Sequence, residues 1–167
     1  YYKGKPLYPF GYGLSYARFE YSDLEVNEYD DSINISFDVR NVSDIDGDEV
    51  VQVYFRAEDP SVKRPLKQLT AFARVHIGCG QTQHIEFDIS KSELRFYDVS
   101  RERFTIEQGR YTFMAGASSD DIRLTKTIEV SGEKIPPREL CKGILAKNYD
   151  GKYNTKMKYS KKLEQHY

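Results

Sequence analysis

The sequence predicts an all-β, immunoglobulin-like antiparallel sandwich, and three observations carry that reading. Apolar and polar residues alternate in short runs, the period of strands with one buried face. The runs recur at spacings of roughly 8–15 residues with Gly- and Asp-rich turns between them, as sandwiches and barrels require. Up to residue 131 almost nothing carries the 3.6-residue period of an amphipathic helix.

The elements follow in order. Phe19, Tyr21, Leu24 and Val26 open the series, with Asp23 breaking the phase, and Asn27 to Asp31 make a polar turn. Ile33, Ile35, Phe37 and Val39 form a period-two run, with Asn34, Ser36, Asp38 and Arg40 on the other face. After the turn Asp44–Asp48 come Val51, Val53 and Phe55, opposed by Val50, Gln52, Tyr54 and Arg56. Leu69, Ala71, Ala73, Val75 and Ile77 follow, ending at Gly78-Cys79-Gly80, and then Ile85, Phe87 and Ile89. Ser90 and Glu93 have the spacing of a capping box, which predicts one helical turn there. Phe104 and Ile106, then Tyr111, Phe113 and Ala115, then Ile122, Leu124, Ile128 and Val130 complete seven or eight strands.

The 167 residues suit one domain and an appendage. With 39% hydrophobic and 31% charged residues and a mean hydropathy of −0.69, the chain reads as soluble, and no run of about 18 apolar residues offers a membrane span. A net charge of −1 gives no field for nucleic acid. That total conceals a split. Residues 1–131 carry 16 Lys/Arg against 22 Asp/Glu, and residues 132–167 carry 9 against 4, the break falling just before Pro136-Pro137. We therefore expect an interdomain arm or linker over residues 1–17, the sandwich over 18–131, and a basic tail or linker over 132–167. That tail is either an extended, partly disordered segment or a strap whose tyrosines bind another part of a parent protein. The start at Tyr1, without Met or an apolar leader, suggests a piece of something longer. Cys79 and Cys141 read as two unlinked thiols, a single bridge being the alternative, and the compartment stays open.

Chemistry-bearing patterns are sparse. Asp44-x-Asp46-x-Asp48 lacks the Gly and Glu that a calcium loop places at its sixth and twelfth positions, where Glu49 and Phe55 stand. His76, Cys79 and His84 straddle the Gly78–Gly80 turn but have no fourth ligand, so no metal site is assigned. No serine occupies a nucleophile elbow, no phosphate-cradling glycine loop precedes a helix, and the acids sit in turns or on polar faces rather than in desolvated pairs. We expect no catalytic centre and no cofactor. The sequons at Asn34 and Asn41 are treated as incidental.

The richest segment is Pro6-Leu7-Tyr8-Pro9-Phe10-Gly11-Tyr12-Gly13-Leu14-Ser15-Tyr16. Its prolines and glycines forbid a helix, so its rings must be ordered by packing on a neighbour. This segment resembles the lead into the C-terminal fibronectin type III-like domain of glycoside hydrolase family 3 enzymes, the β-glucosidases and β-xylosidases. The likeness continues through Asn41-Val42-Ser43 and Gly47-Asp48-Glu49-Val50-Val51-Gln52-Val53-Tyr54. It runs on through Ser61-Val62-Lys63-Arg64-Pro65-Leu66-Lys67-Gln68-Leu69, Phe96-Tyr97-Asp98 and Glu107-Gln108-Gly109-Arg110-Tyr111, covering about residues 6–130.

The resemblance implies a non-catalytic, fibronectin type III-like module. In that family the nucleophilic Asp comes from a preceding (β/α)₈ barrel and the acid/base commonly from an α/β sandwich, so no catalytic residue carries over to this chain. It implies that Pro9, Phe10, Tyr12, Leu14 and Tyr16 contact other domains of a parent glycosidase. It also makes the loop from Glu58 to Gln68, with Lys63, Arg64 and Lys67, a candidate edge of an active-site mouth where a β-linked oligosaccharide would pass. The basic tail departs from the family pattern. The alternative is a carbohydrate-binding or protein-interaction sandwich. Sugar platforms favour exposed aromatic faces, usually Trp, and this chain has 14 Tyr and no Trp.

Overall fold

Nine strands and one 3₁₀ turn form within residues 6–135, the part of the chain that the computed structural model describes. Contacts divide the chain into one unit over Tyr1–Lys134 and another over Ile135–Tyr167, and the first is described below. Beyond Ile135 the expected basic tail lies outside the described residues, as do residues 1–5.

The strands are β1 (Phe19–Glu28), β2 (Ser32–Asn41), β3 (Gly47–Ala57), β4 (Gln68–Ile77), β5 (Thr82–Ser90), β6 (Phe96–Asp98), β7 (Arg103–Thr105), β8 (Gly109–Gly116) and β9 (Ile122–Val130), with the 3₁₀ turn at Lys91–Leu94. They pair antiparallel into a three-stranded sheet, β1-β2-β5, a four-stranded sheet, β4-β3-β8-β9, and a separate hairpin, β6-β7. The two larger sheets close over one core. On β2 the predicted alternation is the buried face: Ile33, Ile35, Phe37 and Val39 are fully buried. Ile33 and Phe37 lie opposite Ile89 and Ile85 of β5. Val51, Val53 and Phe55 of β3 meet them from the other sheet with Tyr111, Phe113 and Ala115 of β8.

The phase break at Asp23 is a β-bulge. The register of β1 on β2 shifts between Ser22 and Glu25, and Asp23 adopts φ 56°. The extra residue moves the inward set from Phe19 and Tyr21 to Leu24 and Val26. A second bulge, between Val53 and Tyr54, takes Leu69 out of the inward series and sets it opposite Tyr54. Leu69 thus faces the outside of the four-stranded sheet, not the core as its run predicted.

Asn41, the last residue of β2, is completely buried. Its Nδ2 donates to the carbonyls of Ile45 (2.8 Å) and Ile77 (2.9 Å), while its Oδ1 accepts from the backbone N–H (3.0 Å) and hydroxyl (2.5 Å) of Ser43. One amide therefore fixes the β2–β3 turn and ties it to the end of β4.

Two local expectations need correction. The turn after β5 is 3₁₀: Ser90 caps it by accepting from the Ser92 N–H at 3.2 Å, two residues on rather than the three of a capping box. Phe104, predicted to point inward, is 63% exposed, and Thr105 takes the buried position. Its strand belongs to the β6-β7 hairpin, whose two three-residue strands pair with neither large sheet.

At the far end of the sandwich Lys91 is buried and forms an ion pair with Glu28, and its Nζ lies 2.6 Å from the Ser131 hydroxyl. The Ser131 N–H donates to the same Glu28 carboxylate at 2.9 Å. Burial pushes the Glu28 carboxyl up, but hydrogen bonds from Lys91 and Ser131 outweigh it and hold the group below the usual carboxylate range. The unfolded chain then binds this proton more readily than the folded one, so the latch stabilises above the unfolded pKa and its contribution is lost as pH falls through the folded value. Below about pH 4.5, the native chain is expected to lose stability more steeply than Glu28→Gln. Urea midpoints measured between pH 6 and 3 check this, and parallel curves would refute it.

Candidate functional site

The outer face of the β4-β3-β8-β9 sheet is not the solvated polar surface that alternation predicts. Gln52 and Tyr54 of β3 and Met114 of β8 point outward yet are buried. The N-terminal arm lies over this face at Gln52. The Gln52 Nε2 donates to the carbonyls of Ala117 (2.6 Å) and Gly11 (3.3 Å), and its Oε1 accepts from the Tyr54 hydroxyl (2.6 Å).

In the arm, the Tyr12 N–H donates to the Pro9 carbonyl at 3.1 Å, closing a turn, and the Phe10 carbonyl accepts from Ser119 N–H at 2.9 Å. Gly11 sits in this turn at φ 78°, and a Cβ there would collide with the Gln52 amide, so the position needs glycine for both reasons. The backbone of the arm is therefore pinned to the sheet while its side chains are not. Leu14 is 88% and Tyr16 97% exposed, and Phe10 and Tyr12 are exposed as well. Pro9 is intermediate. The expectation that these rings pack on a neighbour is not met within the described residues.

The loop between β3 and β4 is fastened separately, around Glu107 and the core residue Tyr111. Glu107 accepts from the Ser61 N–H through both oxygens (3.0 and 3.2 Å) and forms a buried ion pair with Arg64. The Arg64 guanidinium lies 3.9 Å from the Phe96 ring centroid and donates to the Tyr111 hydroxyl at 3.2 Å. The Lys67 ammonium donates to the Ser119 carbonyl. Of the three cations expected at a mouth, Arg64 is thus turned inward as a staple, while Lys63 and Lys67 are exposed, Lys67 with its ammonium on the Ser119 carbonyl.

Between the arm and the sheet runs an open groove of about 770 Å³, lined by Phe10, Tyr12, Leu14, Val50, Leu69 and Phe72 among others. Phe72 is 68% exposed. Its charged end holds Glu49 and Arg123. Arg123 pairs with Asp121 at 2.8 Å, donates to the Phe19 carbonyl at 2.5 Å and covers the Tyr21 ring at 4.9 Å. Burial pushes the Glu49 carboxyl up, and Arg123 offsets this only in part. Contiguous apolar exposure of this kind marks a surface that another body covers.

The sequence missed Phe72, Leu69 and Val50 as members of this face. A signal was present: the outward positions Val50, Gln52 and Tyr54 carry no charge, as a solvated face would.

The other singled-out residues disperse. His76 pairs with Asp48 (2.7 Å) across β3-β4, and His84 with Asp38 (2.6 Å) across β2-β5, in different sheets. Asp46 accepts from the Cys79 N–H at 2.7 Å, so the Asp44–Asp48 turn is held by protein donors. Cys79 is exposed, and Cys141 lies outside the described residues. Among the described residues no three His, Cys, Asp or Glu side chains converge as metal ligands would. Asn34 donates to Glu86 at 2.8 Å.

Comparison with known proteins agrees with this architecture. Residues 49–119 match the family described as fibronectin type III-like domain. The chain is 38% identical over 131 residues to thermostable β-glucosidase B of Acetivibrio thermocellus, covering 76% of this chain and 17% of that protein. It is 39% identical over 124 residues to a putative β-xylosidase of Formosa agariphila, covering 72% and 16%. The solved β-glucosidase of Kluyveromyces marxianus in complex with glucose superposes with a TM-score of 0.72 at 38% identity, over 76% of this chain and 16% of that one. The chain thus spans about a sixth of the length of such relatives.

Proposed function

Because this chain carries the fibronectin type III-like domain found in family 3 β-glucosidases, we propose that it is a non-catalytic module that docks onto and braces the catalytic domains of a parent β-glycosidase. The single observation that carries this is the groove face, where backbone hydrogen bonds hold the arm in place while Phe10, Tyr12, Leu14 and Phe72 stay exposed. A folded module that spends ordering entropy on an arm without burying its rings needs a partner to cover them. The matched relatives are about six times longer than their match, so the rest of such a parent is the natural occupant. Nucleic acid and membranes have no part in this proposal.

The test pairs this chain with the separately expressed remainder of its parent. Phe10→Ala and Phe72→Ala are each expected to weaken association at least tenfold, about 1.4 kcal/mol. The thermal midpoint of the isolated chain should barely move, because exposed rings contribute little to its own core. Loss of several kcal/mol in the isolated chain, the cost of a buried Phe, would instead make the arm part of the core and sink the docking reading.

A second reading, contact with a β-linked oligosaccharide, has a separate observation in its favour. Tyr97 and Phe104 present exposed rings on the β6-β7 hairpin, and neither lines the groove.

A further inference from the structure

The β6-β7 hairpin carries a second exposed aromatic surface. Tyr97 and Phe104 stand directly opposite in register, their ring centroids 5.4 Å apart at an interplanar angle of 74°. Neither ring is needed by the core, since Phe96 and Thr105 supply the inward side chains of this hairpin. Phe104 is also one wall of an open depression of about 610 Å³, bordered by Asp30, Asp31, Lys91, Arg95, Ile106 and Glu133 among others. Asp30 and Asp31 are exposed. The guanidinium of Arg95 donates to the Ser92 carbonyl at 2.8 Å and sits 5.7 Å from the Phe104 ring centroid, so it is held in place with donors to spare. This depression lies beyond the C-terminal ends of β1 and β9, whereas the groove takes in their first residues. Nine residues of strand separate the two by roughly 30 Å.

The chemistry narrows the ligand. Asp30, Asp31 and Glu133 repel an anion, and Lys91 and Arg95 among them repel a cation. One aromatic wall among charged groups offers too little apolar surface for an oily ligand. What remains is a neutral molecule with an apolar face and a rim of hydroxyls, which a ring face can stack on while carboxylates accept and a guanidinium donates. An equatorially linked pyranose chain is flat and has such faces on both sides. An axially linked chain coils and does not lie along a flat surface.

Resting on the second reading above, we propose that this depression is a binding site for neutral β-linked pyranosides, with Phe104 as the stacking surface and Asp30, Asp31 and Arg95 as the hydrogen-bonding groups. Cellotetraose and xylotetraose, titrated into the full 167-residue chain and followed by amide chemical shifts, are expected to give saturable changes at residues 30, 31, 95 and 104. Maltotetraose should give at least tenfold weaker ones. Phe104→Ala should weaken binding at least tenfold while the midpoint of unfolding stays within about 2 °C. Asp31→Ala, on the β1–β2 turn, provides a second variant should the hairpin rearrange once the Phe104 ring is removed. Cellotetraose binding that survives both substitutions would overturn the site but leave the oligosaccharide reading standing. Absence of any saturable change up to about 20 mM sugar would overturn both. Shifts at these amides that depend on protein concentration alone would assign the surface to a second copy of the chain and overturn the site.

Discussion

Asn41→Ala is expected to destabilise the domain by about 3–4 kcal/mol, a fall of roughly 10 °C in thermal midpoint. The side chain is fully buried and makes four hydrogen bonds. Truncation strands the buried Ile77 carbonyl, at about 1–3 kcal/mol, removes partners from the part-buried Ile45 carbonyl and Ser43 N–H, and leaves a cavity where the amide was. Asn41→Asp separates hydrogen bonding from volume. A carboxylate can still accept from Ser43, but it faces two carbonyl oxygens to which it has nothing to donate, so Asp should cost at least as much as Ala. Thermal and urea unfolding of the three chains would decide it. If Asp is tolerated, the amide donor is unimportant and the two carbonyls do not depend on it. The same burial removes Asn41 as a glycan acceptor, whatever its sequon suggests.

Glu107→Ala is expected to cost about 3–5 kcal/mol, because it leaves the Arg64 guanidinium buried without its counter-charge and strips the Ser61 N–H of both acceptors. Both side chains are about nine-tenths buried, so solvent cannot screen the loss. Arg64→Met should cost less: the thioether can still lie on Phe96, but the Glu107 carboxylate loses its ion pair. In the double variant Arg64→Met/Glu107→Leu no charge is stranded, and the summed single costs should exceed the double by about 2 kcal/mol. Additive losses would mean that the pair is solvated after all. A readout specific to the loop goes with this, since proteolysis within residues 58–67 should accelerate in both single variants before global unfolding does.

These two residues also mark where sequence reading succeeded and where it stopped. The sandwich was legible because β2, β3 and β8 each turn an apolar set toward the core, which writes period two into Ile33–Val39, Val51–Phe55 and Tyr111–Ala115. The β1 bulge left a trace in the sequence, Asp23 standing where an apolar residue was due, but no bulge was read from it. Alternation says which side a residue faces, but not whether that side is wet. Gln52 and Tyr54 were therefore placed opposite the core set, with no sign that the arm reaches over Gln52. Arg64 was read as a surface cation because its partner, Glu107, lies 43 residues away, and a pairing across that separation exists only once β3 and β8 have met. Phe104 failed for a related reason: Phe104 and Ile106 read as one alternating strand, but the hairpin ends between them at Thr105. The composition of the arm asks for a partner to cover its rings, and among the described residues Phe10, Tyr12, Leu14 and Tyr16 are exposed.

The anchors of the arm carry a consequence for the order in which this domain assembles during synthesis. Phe10 and Gly11 leave the ribosome before the groups that hold them, Gln52 and Ser119, which follow 41 and 109 residues later. At about 5–20 residues per second, the arm waits several seconds for its last donor. During that interval it is an aromatic-rich ribbon without the sheet that pins its backbone. Pro6 and Pro9 withhold the N–H groups, and Gly11 and Gly13 the stiffness, that would let it add to a passing sheet edge as an extra strand. The same residues that deny the segment regular structure in the finished domain thus keep it out of wrong partnerships while the chain is still being made.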